Sequence, residues 1–144
     1  MNPSLDPGST TYFRLTIDGQ SLGLFNGCDG LSAEVETESY SEGGNNGYVT
    51  QLPTRVRHAT IRLVRPLTKD SARVTAWISS IATGVVRPTA QIAALRADGS
   101  VVAQWGLLDA LPVRWSGPSL DPASPSVATE TLEIAHHGFT DAGA

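Results

Sequence analysis

Polarity alternates from one residue to the next along most of this chain, and a period of two commits it to β structure. From Thr11 to Asp18, Tyr12 falls on the face opposite Phe13, Leu15 and Ile17, a half-buried strand running into an Asp18-Gly19 turn signal. Residues 22–25 form a short partner across that turn. Leu31, Ala33, Val35 and Thr37 then alternate with Ser32, Glu34, Glu36 and Glu38 along a long strand, followed by a glycine- and asparagine-rich insertion at 43–47 that Pro53 closes. Residues 55–65 read as one strand, with Val56, His58, Thr60 and Val64 on one face and Ala59, Ile61 and Leu63 on the other. Apolar residues on both faces imply burial on both sides over its second half.

A single segment carries the helical period. Val74, Trp77, Ile78 and Ile81 recur at i, i+3, i+4 and i+7, with Thr68 as the expected cap. Gly84 stands where a left-handed terminator belongs, and Pro88 forbids continuation. Further strands are expected at 89–96, 100–109, 111–116 and 126–137, with an Asp98-Gly99 hairpin turn between the first two and a proline-rich loop before the last. The sum is a mainly β chain, a barrel or sandwich with one flanking amphipathic helix. Its 144 residues make one domain spanning 1–144, with residues 1–10 an N-terminal arm that is flexible or part of an interface.

Composition closes off several classes. A net charge of −4 and a pI near 5.2 oppose a phosphate-binding, nucleic-acid-specific protein. One cysteine, Cys28, cannot form an internal bridge and reads as a small buried side chain. No apolar run reaches the roughly 20 residues of a membrane helix, and the first residues lack a signal-peptide pattern, so synthesis and folding are expected in the cytoplasm.

No constellation of catalytic residues emerges. Gly43-Gly44-Asn45-Asn46-Gly47 is followed by no lysine and no helix, so it is a turn-forming loop and not a phosphate cradle. A Gly-x-Ser-x-Gly elbow is absent. His136 and His137, neighbours on a strand, point to opposite faces, and His58 is the one other histidine, so no metal site is expected. Trp77, Trp105 and Trp115 are expected to pack the core. No cofactor, metal or catalytic residue is assigned, and the chain is not expected to be an enzyme.

Charge, however, is sorted. From Asp29 to Glu42 stand five acids (Asp29, Glu34, Glu36, Glu38, Glu42) and no base. From Arg55 to Arg73 stand six bases (Arg55, Arg57, Arg62, Arg65, Lys69, Arg73) against Asp70 alone. If the two segments neighbour each other, Glu34, Glu36 and Glu38 face Arg55, Arg57 or Arg62 as cross-strand pairs. Either these are solvated faces that block edge pairing, or acidic and basic patches on copies of the chain complement each other, a heterologous contact that builds rings or filaments.

The order of segments resembles the tail-tube proteins of contractile phage tails and of phage-tail-like extracellular contractile injection systems. The resemblance runs over about 130 residues: Asp6-Pro7, Tyr12 to Gly19, Phe25, Gly30-Leu31, Val35 to Glu38, Tyr40 to Asn45, Leu52-Pro53, Ile61-Arg62-Leu63, Trp77-Ile78, Trp105, Pro112, Trp115 to Pro118, and Glu130 to His136. Pro66, where such chains often carry glycine, and His137, where an acid is common, depart from it. The resemblance implies a tail-tube-like β-barrel with a flanking helix and a structural role. Hexameric rings would stack into the rigid hollow tube of an injection system, inside a sheath protein, on baseplate or initiator proteins, with protein cargo in the lumen. Such a subunit would assemble in the cytoplasm into a releasable particle, without inserting into membranes itself.

In that reading Glu42, Gly43, Gly44, Asn45, Asn46, Gly47, Tyr48 and Val49 form a loop between rings or subunits. Glu34, Glu36, Glu38, Arg55, Arg57 and Arg62 supply charged subunit and lumen surfaces, and Val74, Trp77, Ile78 and Ile81 seat the helix. The alternatives are a ring that initiates or caps the tube at the baseplate, a type VI secretion tube protein, and a monomeric β-barrel with a ligand in its interior.

Overall fold

The computed structural model describes residues 10–40, 49–84, 86–118, 123 and 128–140. Tyr12–Ile17 (β1) and Gln20–Phe25 (β2) are joined by Asp18 and Gly19, both at positive φ (48° and 79°), the two-residue hairpin turn whose twist matches that of its strands. There follow Gly27–Asp29 (β3), Ala33–Tyr40 (β4), Thr50–His58 (β5), Ile61–Pro66 (β6) and the helix Ser71–Ser80 (α1). Ala90–Leu95 (β7), Val101–Leu107 (β8), Leu111–Ser116 (β9), Thr129–Ala135 (β10) and Phe139–Thr140 (β11) complete the order.

These strands form a five-stranded sheet, β11-β8-β7-β1-β2, a four-stranded sheet, β3-β6-β10-β9, and a separate two-stranded ribbon, β4-β5. Side chains from both larger sheets meet in one core. Leu15, Ile17, Leu22, Phe25, Ile92 and Leu107 come from the first, and Ile61, Leu63, Leu132 and Ile134 from the second. Val74 of α1 is buried in the same cluster, with Trp77 and Ile78 packed against it and Ile81 half-buried, so the helical stripe seats as its spacing requires. The three tryptophans pack at the margins of this core.

Four local expectations are corrected. The segment 55–65 is not one strand: β5 ends at His58 and β6 begins at Ile61. Gly30 lies against this break, with φ +94°, and a Cβ there would stand 2.2 Å from the Thr60 carbonyl oxygen. Chain crosses chain at that point, so the ladder cannot run through it. Burial on both faces is only partial: in β6, Ile61, Leu63 and Arg65 are buried, while on the other face Val64 is half-buried and Arg62 exposed. At the helix start the cap residue is Asp70 and not Thr68, whose Oγ1 accepts from the Asp70 N–H at 3.2 Å instead. At the helix end Gly84 is not left-handed, because i→i+3 bonds from Ala82, Thr83 and Gly84 to Ser79, Ser80 and Ile81 carry the chain out in a tightened tail. The Asp98-Gly99 turn stands as expected, closed by a bond from Gly99 N–H to the Arg96 carbonyl.

Candidate assembly surface

Neither strand of the β4-β5 ribbon pairs with another sheet, and none of its described residues belongs to the core. Its register separates two faces. Glu34 lies opposite Arg57, Glu36 opposite Arg55, and Glu38 opposite Leu52 on one side. Ala33 with His58, Val35 with Val56, and Thr37 with Pro53 lie on the other. A bulge between Glu36 and Thr37 leaves Thr54 unpaired in the ladder, its hydroxyl donating to the Glu36 carbonyl at 3.1 Å. On the charged face Glu36 bridges Arg55 (3.1 Å) and Arg57 (2.5 Å). Both guanidinium groups are largely in solvent, so each pair contributes less than about 1 kcal/mol and sets register more than stability. On the opposite face Val35 and Val56 stand side by side, 52% and 55% exposed.

An isolated two-stranded ribbon is marginal in water, and an exposed valine pair adds an apolar surface without a cover. Sequence reasoning placed Glu34, Glu36, Glu38, Arg55 and Arg57 together, and the structure does the same. Arg62 is separated from them. It lies on β6, opposite Asp29 and Glu133, on the outer face of the four-stranded sheet beside Arg114, which pairs with Glu133 at 3.6 Å. The strand break at residues 59–60 is the cause. Of the expected loop 42–49, Val49 is exposed, and Glu42, Gly43, Gly44, Asn45, Asn46, Gly47 and Tyr48 lie outside the described residues.

Sequence reasoning missed a buried polar knot that ties helix to sheets. Arg65 and Glu130, 1% and 0% exposed, pair at 3.2 Å across β6 and β10. Glu130 also accepts from the Ser71 hydroxyl at the start of α1 and from Trp115 Nε1 on β9 at 3.0 Å. Arg65 donates to the Leu22 carbonyl at 2.8 Å and lies 4.2 Å over the Phe25 ring. Five elements thus converge on one ion pair. The signal was available: Arg65 is in phase with Ile61 and Leu63, and Glu130 with Leu132 and Ile134.

Cys28 is half-buried and its thiol is pushed up to about 11 by burial and the adjacent Asp29, which makes it a poor nucleophile. A cleft of about 740 Å³ opens between the β1-β2 turn and α1, lined among others by Asp18, Leu22, Arg73 and Trp77. It lies beside the helix, not between the sheets, where an interior-ligand barrel would hold its ligand. Among the described residues no three of His, Cys, Asp and Glu are grouped to hold a metal ion, and no helix is long and apolar enough to cross a membrane.

Solved structures share this architecture. A chain of the PVC extracellular contractile injection system, solved as a sheath-tube complex in the extended state, superposes with a TM-score of 0.80 at 20% identity, covering 97% of each chain. A chain of the anti-feeding prophage baseplate gives 0.73 at 24% identity, covering 95% of each. Hcp1 from Flavobacterium johnsoniae gives 0.52 at 16% identity, covering 92% of this chain and 96% of that one. At these identities the likeness speaks for the fold. No curated protein sequence matches the chain. The family model described as T4-like virus tail tube protein gp19 matches residues 9–140. The chain belongs to that tail tube family and is a structural subunit of the tail-tube type.

Proposed function

We propose that this chain builds the inner tube of a contractile injection system, as hexameric rings that stack inside a sheath on a baseplate, and that its work is structural and not catalytic. The observation that carries the proposal is the β4-β5 ribbon, a paired segment off the core with a valine face in solvent, in a chain of the tail tube family. A neighbouring subunit supplies the missing cover. The open edges β2 and β11 of one sheet, and β3 and β9 of the other, supply sites where ring closure removes exposed ladders.

On this reading Val35 and Val56 bury against the next subunit, while Glu34, Glu36, Glu38, Arg55 and Arg57 fix its register. Residues 42–49 reach the neighbouring ring. Arg62, Arg114 and Glu133 face outward from the four-stranded sheet as a charged surface toward the lumen and its protein cargo. Assembly takes place in the cytoplasm and the finished particle is released.

The test is Val35→Glu with Val56→Lys in the producing host, which replaces the apolar pair by an opposite-charge pair across the ladder. Both sites are exposed in the single subunit, so the variant keeps its fold and its stability within about 1 kcal/mol. Tubes should be missing from the particle fraction. Tubes of normal length built from the variant would refute the assignment of this face.

A further inference from the structure

The ribbon is held to the body at its root by three rings. His58, the last residue of β5, lies 5.0 Å from His136 and 5.2 Å from Phe139, centroid to centroid, and His136 and Phe139 are 5.1 Å apart. His58 belongs to the ribbon, while His136 follows β10 and Phe139 opens β11. The contact therefore spans the junction between the two-stranded ribbon and both sheets of the body.

Protons are badly provided for here. His58 Nδ1 and His136 Nε2 are both shut off from solvent without a hydrogen-bond partner. The remaining ring nitrogen of His136, Nδ1, lies 3.2 Å from the Gly138 N–H and 3.3 Å from the Gly138 carbonyl oxygen. In the neutral ring, Nδ1 accepts from that N–H. In that tautomer the Nε2 proton already lacks an acceptor; a second proton, on Nδ1, takes the acceptor away from the Gly138 N–H, leaves the Gly138 carbonyl at 3.3 Å as its own partner, and puts a positive charge in a pocket shut off from water. The groups near His136 do not compensate. From β5 comes His58, and from its own segment His137, both able to become positive. The carboxylate close by, Asp109 in the β8-β9 turn, is engaged by His137 Nδ1 at 3.1 Å on the exposed side.

We propose that the His58–His136–Phe139 contact is a latch that holds the ribbon to the body while the His136 imidazole is neutral and lets it go when that ring takes up a proton. The inference concerns the single subunit and holds whether or not the tube reading does. Burial lowers the His136 proton affinity from its ordinary value of 6.5, with the repulsion of His58 and His137 acting in the same direction and the Gly138 carbonyl opposing. The sign follows by linkage. The undocked ring binds protons at the ordinary value and the docked ring only at lower pH, so docking is fully present above about 6.5 and weakens as pH falls toward the lowered value. Each unit of difference multiplies the opening equilibrium about tenfold. A released ribbon is a bare hairpin, whose ladder frays.

The experiment is amide hydrogen exchange on the purified, unassembled full-length chain at pH 7.5 and 5.0, corrected for intrinsic exchange rates. The hydrogen-bonded amides of the β4-β5 ladder should exchange several-fold faster at pH 5.0, while β1 and β7 amides hold their protection. The His58→Phe, His136→Phe double variant keeps the rings and removes the protons, and should lose the acid response. His137→Gln leaves the latch in place and should retain it. Ribbon exchange that does not respond to pH in the parent chain, or an equal response in the double variant, overturns the proposal. Should the double variant fail to fold, the imidazole C–H resonances of the parent chain decide: a His136 midpoint below 6.5 supports the latch, and an ordinary midpoint overturns it.

Discussion

Replacing Glu130 by alanine asks how much of the fold hangs on one ion pair. Both partners are out of water, and Glu130 accepts from Arg65 Nε, Ser71 Oγ and Trp115 Nε1. Removing it strands the Arg65 charge in the core, a cost of about 3–5 kcal/mol. The Ser71 hydroxyl and the indole N–H each lose an acceptor, but both are half-buried and partly recovered by water, so together they add about 1 kcal/mol. The total, about 4–6 kcal/mol, approaches the whole stability of many single domains, about 5–15 kcal/mol. With a urea slope of about 2 kcal/mol/M, the unfolding midpoint of the unassembled chain should fall by about 2–3 M, read by far-UV circular dichroism. Replacing both partners, Arg65→Met with Glu130→Leu, removes the stranded charge and should restore all but about 2 kcal/mol. A Glu130→Ala midpoint within about 0.5 M of the parent, at unchanged slope, would refute the reasoning.

Gly30→Ala should destabilise by at least about 2 kcal/mol, from a left-handed backbone plus a methyl group driven into the Thr60 carbonyl, and a loss of stability under about 0.5 kcal/mol in denaturant titration would show that the crossing relaxes freely. Glu36→Arg removes two ion pairs and sets three guanidinium groups together on the ribbon; it should cost the folded subunit about 1–2 kcal/mol in denaturant titration yet block assembly, and normal tubes would show that this charge does not set register. The Cys28 thiol, at about 11 against an ordinary 9.0, should react with a thiol-specific disulfide reagent about a hundredfold more slowly in the native chain than in urea at pH 8, and equal rates would contradict its burial.

The parts of the fold legible in the sequence are those in which alternation had room to repeat. β1 and β4, six and eight residues long, showed their phase, and β7, β8 and β10, of six or seven residues, were legible as strands though not by their faces. Gly27–Asp29 and Phe139–Thr140, three and two residues long, hold too few side chains for a period of two to register. The division of 55–65 was hidden for a different reason. Both halves are strand-like in themselves, and the break is imposed by Gly30, which lies far off in sequence. Arg62 was consequently placed with the wrong acids.

The Arg65–Glu130 knot was overlooked because charged residues in an alternating strand ordinarily face solvent, although their phase with Ile61, Leu63, Leu132 and Ile134 marked them as inward. The ring latch was illegible in the same way: His58 and His136 are 78 positions apart and meet only through the fold. The sorted charge, by contrast, carried true information, since Glu36 with Arg55 and Arg57 required only that the two segments be neighbours.

The central claim is that this chain is the repeating unit of a tube. Electron microscopy of the high-speed pellet from the producing host, with the chain identified by mass spectrometry or antibody, tests it most directly. The account predicts sheathed hollow particles in which this chain is present in many copies, as stacked rings. A host that makes such particles while this chain stays behind as a soluble monomer would contradict it.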